Sequence, residues 1–326
     1  MMRPLSASML ALALAGCVNM APAHERPSLA SAPAYDGEYR PDGTVVASTL
    51  SYGEWFDDAR LVALIDTAVA NNRDLVAATA RIEQARAQYR VQDSRRLPAP
   101  VASAAAGRSR TPTGAAIAGA APTVTADRFE VGVGVTSFEL DFWGRVANLS
   151  EAARARYLAT EANQRAFYLS LVADVASTYF EILETDAQID LAQATLESRQ
   201  EGLRIAQLRL DAGVTSALPY RQAETLLTTA EQQLAAQRLD RARLNNQLAV
   251  LVGGAVPANL PQPLAMQAQD DAMMLDAGLP SDLLLVRPDI TAAEEQLRAA
   301  RADIGAARAA FFPTISLTGN AGFASS

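Results

Sequence analysis

Cysteine, histidine and closely spaced carboxylates are the residue types in this chain with the most obvious chemical potential. The 326-residue sequence has one cysteine, Cys17, and one histidine, His24. One of each excludes an internal disulfide and a Cys/His zinc cluster. Glu139 and Asp141 have a spacing that resembles paired acid–base carboxylates, but we expect both to face water beside a strand. We therefore predict no catalytic, metal or cofactor site.

Lipid attachment is the chemistry that the sequence does predict. Residues 1–16 have the layout of a secretory signal peptide, and their apolar run is too short to cross a bilayer as a helix. Leu14 to Cys17 resemble a bacterial lipobox, in which the cysteine is acylated. The alternative is an ordinary signal peptide with an incidental cysteine. Val18 stands where inner-membrane lipoproteins usually have aspartate, which favours anchoring in the outer membrane by acyl chains on Cys17.

Composition narrows the possible classes of protein. Half of the residues are hydrophobic (50%) and 20% are charged, which is typical of a folded chain. All 28 basic residues are arginine and 36 are acidic, so no basic face for nucleic acid is expected. Residues 17–58 are rich in proline, glycine and small side chains, which predicts an extended, lipidated N-terminal tether.

A long coiled-coil helix must position whatever functional surface the protein has. Residues 145–211 lack proline and contain apolar residues at every seventh position: Val175, Ile182, Ile189, Leu196, Leu203 and Leu210. This repeat keeps one seam of a helix against a partner. At about 1.5 Å per residue the helix would be roughly 100 Å long.

A glycine and a proline predict where this helix reverses. Gly213 fits a left-handed helix end, and Pro219 fits the first turn of the next helix. Residues 145–252 therefore form a long helical hairpin with its tip at Ala212, Gly213, Val214, Thr215, Ser216 and Ala217. Residues 253–280 are predicted to form an irregular linker.

A membrane strand is predicted before the long helix. Phe129, Val131, Val133 and Val135 alternate with small or polar residues, over the length of a membrane-spanning strand. The alternation changes phase near Thr136, which indicates a bulge or the exit from a membrane. We place a β-hairpin at about 98–142.

The end of the sequence repeats its beginning. Aligning Asp74 with Asp289 keeps the heptad of two alanine-rich helices in register and superimposes Pro98 on Pro313, which indicates an internal duplication. Chance similarity between alanine-rich helices is the alternative. The first repeat covers 59–280 and opens with one helix from Ala59 to near Leu97. The second, 281–326, stops within its first strand, so we expect the sequence to be part of a longer protein.

Three segments resemble signatures of a known family. They are residues 138–146, residues 278–289 with Arg287-Pro288-Asp289, and residues 306–319 with Phe311-Phe312-Pro313. They are similar to TolC-like outer-membrane factors, in the lipoprotein subclass that serves multidrug efflux pumps. The resemblance implies a mainly α fold with membrane β, in which a homotrimer shares a β-barrel and a coiled-coil α-barrel.

The same resemblance implies a function without enzymatic activity. It implies a passive outer-membrane conduit that exports small molecules, with a periplasmic adaptor protein and an inner-membrane pump as partners. The tip at 212–217 would dock the adaptor, and a turn that only reverses the chain is the alternative. Two other functions remain open: a structural coiled-coil lipoprotein of the outer membrane, and a type I secretion exit duct.

Overall fold

The computed structural model describes residues 19–23, 50–112, 123–269 and 284–325. The signal peptide, Cys17, His24, most of the tether and the last part of the linker lie outside the described residues. Within them the chain is mainly helical and has one antiparallel sheet. The helices are α1 (Tyr52–Trp55), α2 (Ala59–Asn71), α3 (Arg73–Ser94), α4 (Arg145–Asp211), α5 (Ala217–Leu251) and α6 (Pro288–Ala309), and a short 3-10 helix covers Met266–Ala268.

The sheet contains three strands in the order β1-β2-β3, all antiparallel. They are β1 (Pro100–Pro112), β2 (Thr123–Glu139) and β3 (Ser316–Ser325). The predicted hairpin is therefore formed by β1 and β2. The third strand comes from the end of the sequence and pairs with β2.

The long helical hairpin agrees with the prediction. The helix α4 has 67 residues and runs from Arg145 to Asp211, and α5 ends at Leu251, one residue before the predicted end. Of the heptad residues, Val175 and Ile182 are buried, whereas Leu196, Leu203 and Leu210 are half-buried. The half-buried positions fit a seam that one neighbouring helix covers only in part.

The single opening helix from Ala59 to near Leu97 was a wrong prediction. The chain leaves helical geometry at Asn72, where ψ is 123°, and this divides it into α2 and α3. The Asn72 side chain accepts a hydrogen bond from the Leu75 backbone N–H (2.9 Å) and donates one to the Leu251 carbonyl (2.9 Å). An asparagine that caps a new helix competes with continuation of the preceding helix. The heptad pattern nevertheless continues across the break, which is why the sequence did not reveal it.

The tether prediction also needs a correction at its end. Residues 52–55 form α1, which is held by a capping box in which the Glu54 carboxylate accepts from the Ser51 backbone N–H at 3.0 Å. Reciprocal capping satisfies donors that a short helix leaves free. The apolar pattern of residues 52–55 is too short to reveal a helix.

The helices α3 and α6 occupy equivalent positions in the predicted duplication. Each has 22 residues, and each starts and ends at aligned positions. A proline follows each helix within a few residues, because proline cannot continue a helix. The duplication remains an interpretation that these matching bounds support.

The chain divides into two compact units, both discontinuous in sequence. Unit 1 contains residues 81–161 and 291–326 together with the first 28 residues, and unit 2 contains residues 29–80 and 162–290. Within the described residues, the boundaries fall within α3, α4 and the first turn of α6. Unit 1 includes the sheet and a cluster of small buried residues shared by α4 and α6, namely Ala152, Ala155, Ala299 and Ala302.

Unit 2 has the larger apolar core. It is formed mainly by α2 and the middle of α4, with Leu61, Leu64, Ile65 and Val175 at most 1% exposed. One stretch of α4 is apolar enough by composition to cross a membrane as a helix. Helices that contribute to a protein core pass the same test, and α4 contributes Leu171, Val175 and Tyr179 to this core.

A buried carboxylate caps the N-terminus of α2 and bonds to a residue of this core. Asp58 is 1% exposed and caps α2 by accepting from the Arg60 backbone N–H at 2.9 Å. Its other oxygen accepts from the Tyr179 hydroxyl (2.6 Å), from Gln269 (2.9 Å) and from the Leu264 backbone N–H (3.1 Å). Burial raises the pKa of Asp58, but these hydrogen bonds outweigh it and hold the pKa below its ordinary value.

We predict that Asp58→Asn destabilises unit 2. In either orientation the new amide would place its NH2 group against the donors that bind one of the two carboxylate oxygens. Hydrogen bonds to a charged group are worth roughly 1.5–3 kcal/mol. We expect a loss of about 2–3 kcal/mol, measured by thermal unfolding of the detergent-solubilised protein.

The exposed neighbour Asp57 provides the control, since Asp57→Asn should change the unfolding temperature little. The folded pKa of Asp58 is lowered, so its contribution is present at neutral pH and is lost as the pH falls from about 4 through that lower pKa. Equal unfolding temperatures for the two variants at pH 7 would contradict this assignment.

Candidate membrane sheet and hairpin tip

The junction between β2 and α4 uses both carboxylates that the sequence singles out. Glu139 pairs with Arg145, whose Nε lies 2.8 Å from Oε1. Asp141 accepts a hydrogen bond from the Ala147 backbone N–H at 2.7 Å. Negative groups are stabilising at a helix N-terminus, where backbone N–H groups lack partners. These carboxylates hold the first turn of α4 and are partly buried, so the expectation that they simply face water was incomplete.

The same junction brings two of the resembling segments together. The Trp143 ring stacks on Phe312 with centroids 4.4 Å apart, and its Nε1 donates to the Pro313 carbonyl at 3.2 Å. The Leu140 N–H donates to the Ile315 carbonyl at 2.8 Å, which continues the sheet pairing. Sequence analysis missed these contacts, although both segments place aromatic residues at a boundary between strand and helix.

The strand register collects apolar side chains on one face of the sheet. Residues directly opposite in antiparallel strands point to the same side. Val131 lies opposite Ala104 and Phe323, and Val133 lies opposite Ala102 and Ala321. We call this the apolar face; its members are Phe129, Val131, Val133 and Val135 of β2, Ala102, Ala104 and Ala106 of β1, and Ala321 and Phe323 of β3.

The apolar face is exposed. Phe129, Val131 and Val133 are 57–61% exposed, and Phe323 is 89% exposed. On the opposite face β2 has Glu130, Gly132 and Gly134, which are less exposed. A water-soluble sheet buries its apolar side chains, whereas a membrane β-barrel turns them outward to lipid. The pattern is that of a lipid-facing sheet.

A β-bulge keeps the apolar face in phase at the end of β2 that leads into α4. The pairing shifts between Val135 and Phe138, so that Val135 lies opposite Gly319 and Phe138 lies opposite Leu317. The bulge adds one residue to β2. Phe138 and Leu317 therefore continue the apolar face, and the change of phase near Thr136 marks a bulge. From Leu317 to Ser325 the face extends about 27 Å along the strand, or about 21 Å across a membrane at the usual tilt.

One charged pair and a further arginine border the other end of the apolar face. Arg108 binds Asp127 through two hydrogen bonds of 2.5 and 2.8 Å, one residue pair beyond Phe129 and Ala106 on the same side. Further along, Arg110 donates to the Thr123 hydroxyl at 3.1 Å. Arginine at the edge of an apolar band is typical of a lipid–water interface, where its stem lies along the apolar surface and its head group reaches water.

The hairpin tip in unit 2 is an exposed reversal. Gly213 has φ +68°, the Val214 N–H donates to the Arg209 carbonyl (3.1 Å) and the Gly213 N–H donates to the Leu210 carbonyl (2.9 Å). These two bonds form a Schellman helix end, in which glycine avoids steric strain. Ser216 is the N-cap residue of α5, with extended backbone angles. The predicted tip residues Ala212–Ala217 are exposed except Thr215, which is half-buried, and Val214 is 75% exposed.

The structure bears on possible metal sites but not on the predicted lipidation site. Among the described residues, no group of three or more His, Cys, Asp or Glu side chains is placed to hold a metal ion. The predicted lipidation site, Cys17, lies outside those residues, so its acylation stays a prediction.

A sheet with an outward apolar face and a long helical hairpin in the same chain define a class of membrane protein with lipid-facing strands and coiled-coil helices. The family model for outer membrane efflux proteins matches residues 64–254 and 279–326. The chain belongs to this family.

Individual relatives agree with that assignment. The chain is 42% identical to the solvent efflux pump outer membrane protein SrpC of Pseudomonas putida and 38% identical to the cation efflux system protein CusC of Escherichia coli. These alignments cover 98% and 97% of this chain and 68% of each relative. The open-state MtrE outer membrane channel of Neisseria gonorrhoeae is structurally similar, with a TM-score of 0.78 and 36% identity over 94% of this chain and 67% of that chain.

The tip geometry generates a prediction about Gly213. Alanine in the left-handed region costs roughly 1–2 kcal/mol, so Gly213→Ala should destabilise the helix end. Gly202 lies within α4, and a Cβ added to it would have no neighbouring atom within 4 Å. Alanine at position 202 should therefore stabilise the helix by up to about 1 kcal/mol.

Amide hydrogen exchange over residues 205–225 measures the difference. We expect faster exchange near the tip in Gly213→Ala and unchanged or slower exchange in Gly202→Ala. Similar exchange in the two variants would show that the helix end does not depend on the left-handed glycine.

Proposed function

We propose that this chain is the channel subunit of a tripartite efflux system in the bacterial outer membrane. In this proposal it assembles as a homotrimer that works with a periplasmic adaptor protein and an inner-membrane pump. The subunit is a passive conduit for small molecules, and the pump selects and drives the cargo. The observation that carries the proposal is the exposed apolar face of the sheet. Along β2, the residues of this face alternate with small and polar residues.

Backbone hydrogen bonding supports assembly around this sheet. In the described residues β1 and β3 each pair on one side only. Unpaired strand edges are costly in lipid, because no water satisfies their N–H and C=O groups. A closed barrel removes the edges, and further strands from other copies of the chain would provide that closure.

The tip supports the adaptor assignment. The reversal at residues 212–217 exposes Val214 and the neighbouring Leu218, which is 64% exposed. Exposed aliphatic groups at the end of a helical hairpin suit packing against helices of another protein. We therefore propose Ala212–Ala217 as the adaptor-docking surface, and acylated Cys17 as an additional anchor in the outer membrane.

Neighbouring alanines of β1 test the central proposal. Ala104 belongs to the apolar face opposite Val131, and Ala105 lies on the other side of the strand opposite Glu130. Arginine on a lipid-facing strand position costs roughly 2–4 kcal/mol near the middle of a membrane, and much less where it faces water. We expect Ala104→Arg to abolish the outer-membrane assembly and Ala105→Arg to retain most of it.

The measurement is the amount of heat-modifiable oligomer in the outer-membrane fraction, together with drug susceptibility of an efflux-deficient strain complemented with each variant. Equal tolerance of both substitutions would contradict a lipid-facing sheet. That result would favour a coiled-coil lipoprotein whose residues 129–135 stay outside the membrane.

A further inference from the structure

The outward side of the sheet ends in arginine. Arg108 and Arg110 follow Ala106 on the same side of β1, because side chains two residues apart in a strand point the same way. Across the strand pair, Arg108 lies opposite Asp127 and Arg110 lies opposite Thr125. Among the described sheet residues on this side, the charged ones are Arg108, Arg110 and Asp127. We call the outward surface of Arg108, Arg110 and Thr125 the arginine rim.

The arginine rim lies at the depth where a lipid-facing surface ends. Arg108 is one residue pair beyond Phe129, which lies opposite Ser325. Measured from Leu317, that position is about 34 Å along the strand, or about 26 Å across a membrane at the usual tilt. The apolar band of a membrane β-barrel is about 25 Å tall. Arg108 therefore stands at the level of lipid head groups, and Arg110 stands about 5 Å further out.

The arginine rim lies at the end of the sheet that the helices do not join. β1 begins shortly after α3, β2 ends shortly before α4 and β3 begins shortly after α6, and the antiparallel register brings these three strand ends together. Arg108 and Arg110 lie toward the other end of β1. In the proposed outer-membrane channel the helices lie in the periplasm, so the rim meets the outer leaflet. That leaflet consists mainly of lipopolysaccharide, a glycolipid whose head group carries phosphates.

Each arginine of the rim retains N–H donors that no described residue uses. Asp127 accepts from Nε and Nη2 of Arg108, at 2.5 and 2.8 Å, and this leaves Nη1 without an acceptor in the described part of the chain. Arg110 uses Nε to donate to the Thr123 hydroxyl at 3.1 Å, and its two terminal nitrogens have no described acceptor. The Arg108 side chain is 74% exposed. Both guanidinium groups are thus oriented by a neighbour across the strands and still have donors available.

Phosphate is the anion that this arrangement fits. A guanidinium group binds phosphate through directed N–H···O bonds, and one edge of the group remains available when a carboxylate holds another. The two arginines are about 7 Å apart along the strand, so each can bind a separate phosphate oxygen. The hydroxyl of the exposed Thr125 lies beside them as a further donor. In a membrane, the partner that reaches an outward strand position at this depth is a lipid, and basic groups near a membrane surface bind anionic head groups.

We propose that the arginine rim binds the phosphate groups of lipopolysaccharide in the outer leaflet. Arg108 and Arg110 each donate to a phosphate oxygen, while Asp127 and Thr123 hold the two guanidinium groups in position. The inference rests on the proposed placement of the sheet in the outer membrane. It assigns to this surface a lipid partner that passive conduction does not require.

Binding of a deep-rough lipopolysaccharide to the purified full-length oligomer tests the rim. Native mass spectrometry of the detergent-solubilised protein, titrated with this glycolipid, gives an apparent Kd. We expect Arg110→Gln to raise the Kd about fivefold or more, because it removes a charged donor group. The double variant Arg108→Gln with Asp127→Asn should raise it by a similar factor, since it removes the ion pair without leaving an unpaired carboxylate.

Arg128→Gln is the matched control. Arg128 is next to Asp127 in β2 and lies opposite Gly107, so it has nearly the same depth but points to the other side of the sheet. Its exposed side chain pairs with Glu130. This variant should keep the Kd within about twofold of the unchanged protein. Equal effects of Arg110→Gln and Arg128→Gln, or an unchanged Kd in both rim variants, would overturn the proposal.

The same titration identifies the chemical group that is bound. Enzymatic removal of the phosphates from the glycolipid should weaken its binding to the unchanged protein as much as the rim substitutions do. Inorganic phosphate at millimolar concentration should not displace the intact glycolipid. Tight binding of the dephosphorylated glycolipid would refute phosphate recognition. Displacement by inorganic phosphate alone would indicate a site for the free anion and would refute a lipid site.

Failure of the rim and failure of the proposed function give different results. If the sheet faces lipid but the rim does not bind, Ala104→Arg still abolishes assembly, whereas the rim variants bind the glycolipid as the unchanged protein does. If the sheet lies outside the membrane, Ala104→Arg is tolerated as well. If Arg110→Gln does not assemble, the double variant at positions 108 and 127 decides.

Discussion

The exposed apolar surface of this protein depends on the register of one three-stranded sheet. A shift of one residue moves every side chain to the other face, so the apolar face exists only while Val131 lies opposite Ala104 and Phe323. The bulge between Val135 and Phe138 preserves that arrangement where the alternation changes phase. An exposed face of this kind is unfavourable in water, by about 25 cal/mol for each Å², and favourable in lipid. The sheet therefore needs a membrane as its solvent.

The polar contacts around the sheet fix its two ends. Arg108 and Asp127 border the apolar face on one side. On the other, Glu139 and Asp141 hold the first turn of α4, and Trp143 stacks on Phe312. Unit 2 is stabilised differently, by a leucine-rich core and by the buried Asp58, which bonds to Tyr179 of that core. The two surfaces that the proposed function requires therefore belong to different units, the sheet to unit 1 and the tip to unit 2.

Long-period features were predictable from the sequence, whereas short and cross-chain features were not. The heptad from Val175 to Leu210 predicts α4, and Gly213 predicts its end, because each acts within one helix. The break at Asn72 was missed because an asparagine cap and a heptad coexist there. The contribution of β1 to the apolar face could not be recognised in the sequence, since alanine and small residues occupy both faces of β1 and hide the alternation. The contact of Trp143 with Phe312 joins distant positions, and no local pattern records such a pair.

Spin labels along β2 distinguish a lipid-facing sheet from a water-facing one. Spin labels placed singly at residues 129–138 of the full-length protein in lipid bilayers report contact with oxygen, which concentrates in lipid, and with a water-soluble nickel complex. Oxygen contact should peak at positions 129, 131, 133 and 135, and the bulge should move the next peak to position 138 instead of 137. Uniformly high contact with the nickel complex along the whole segment would show that β2 faces water and not lipid.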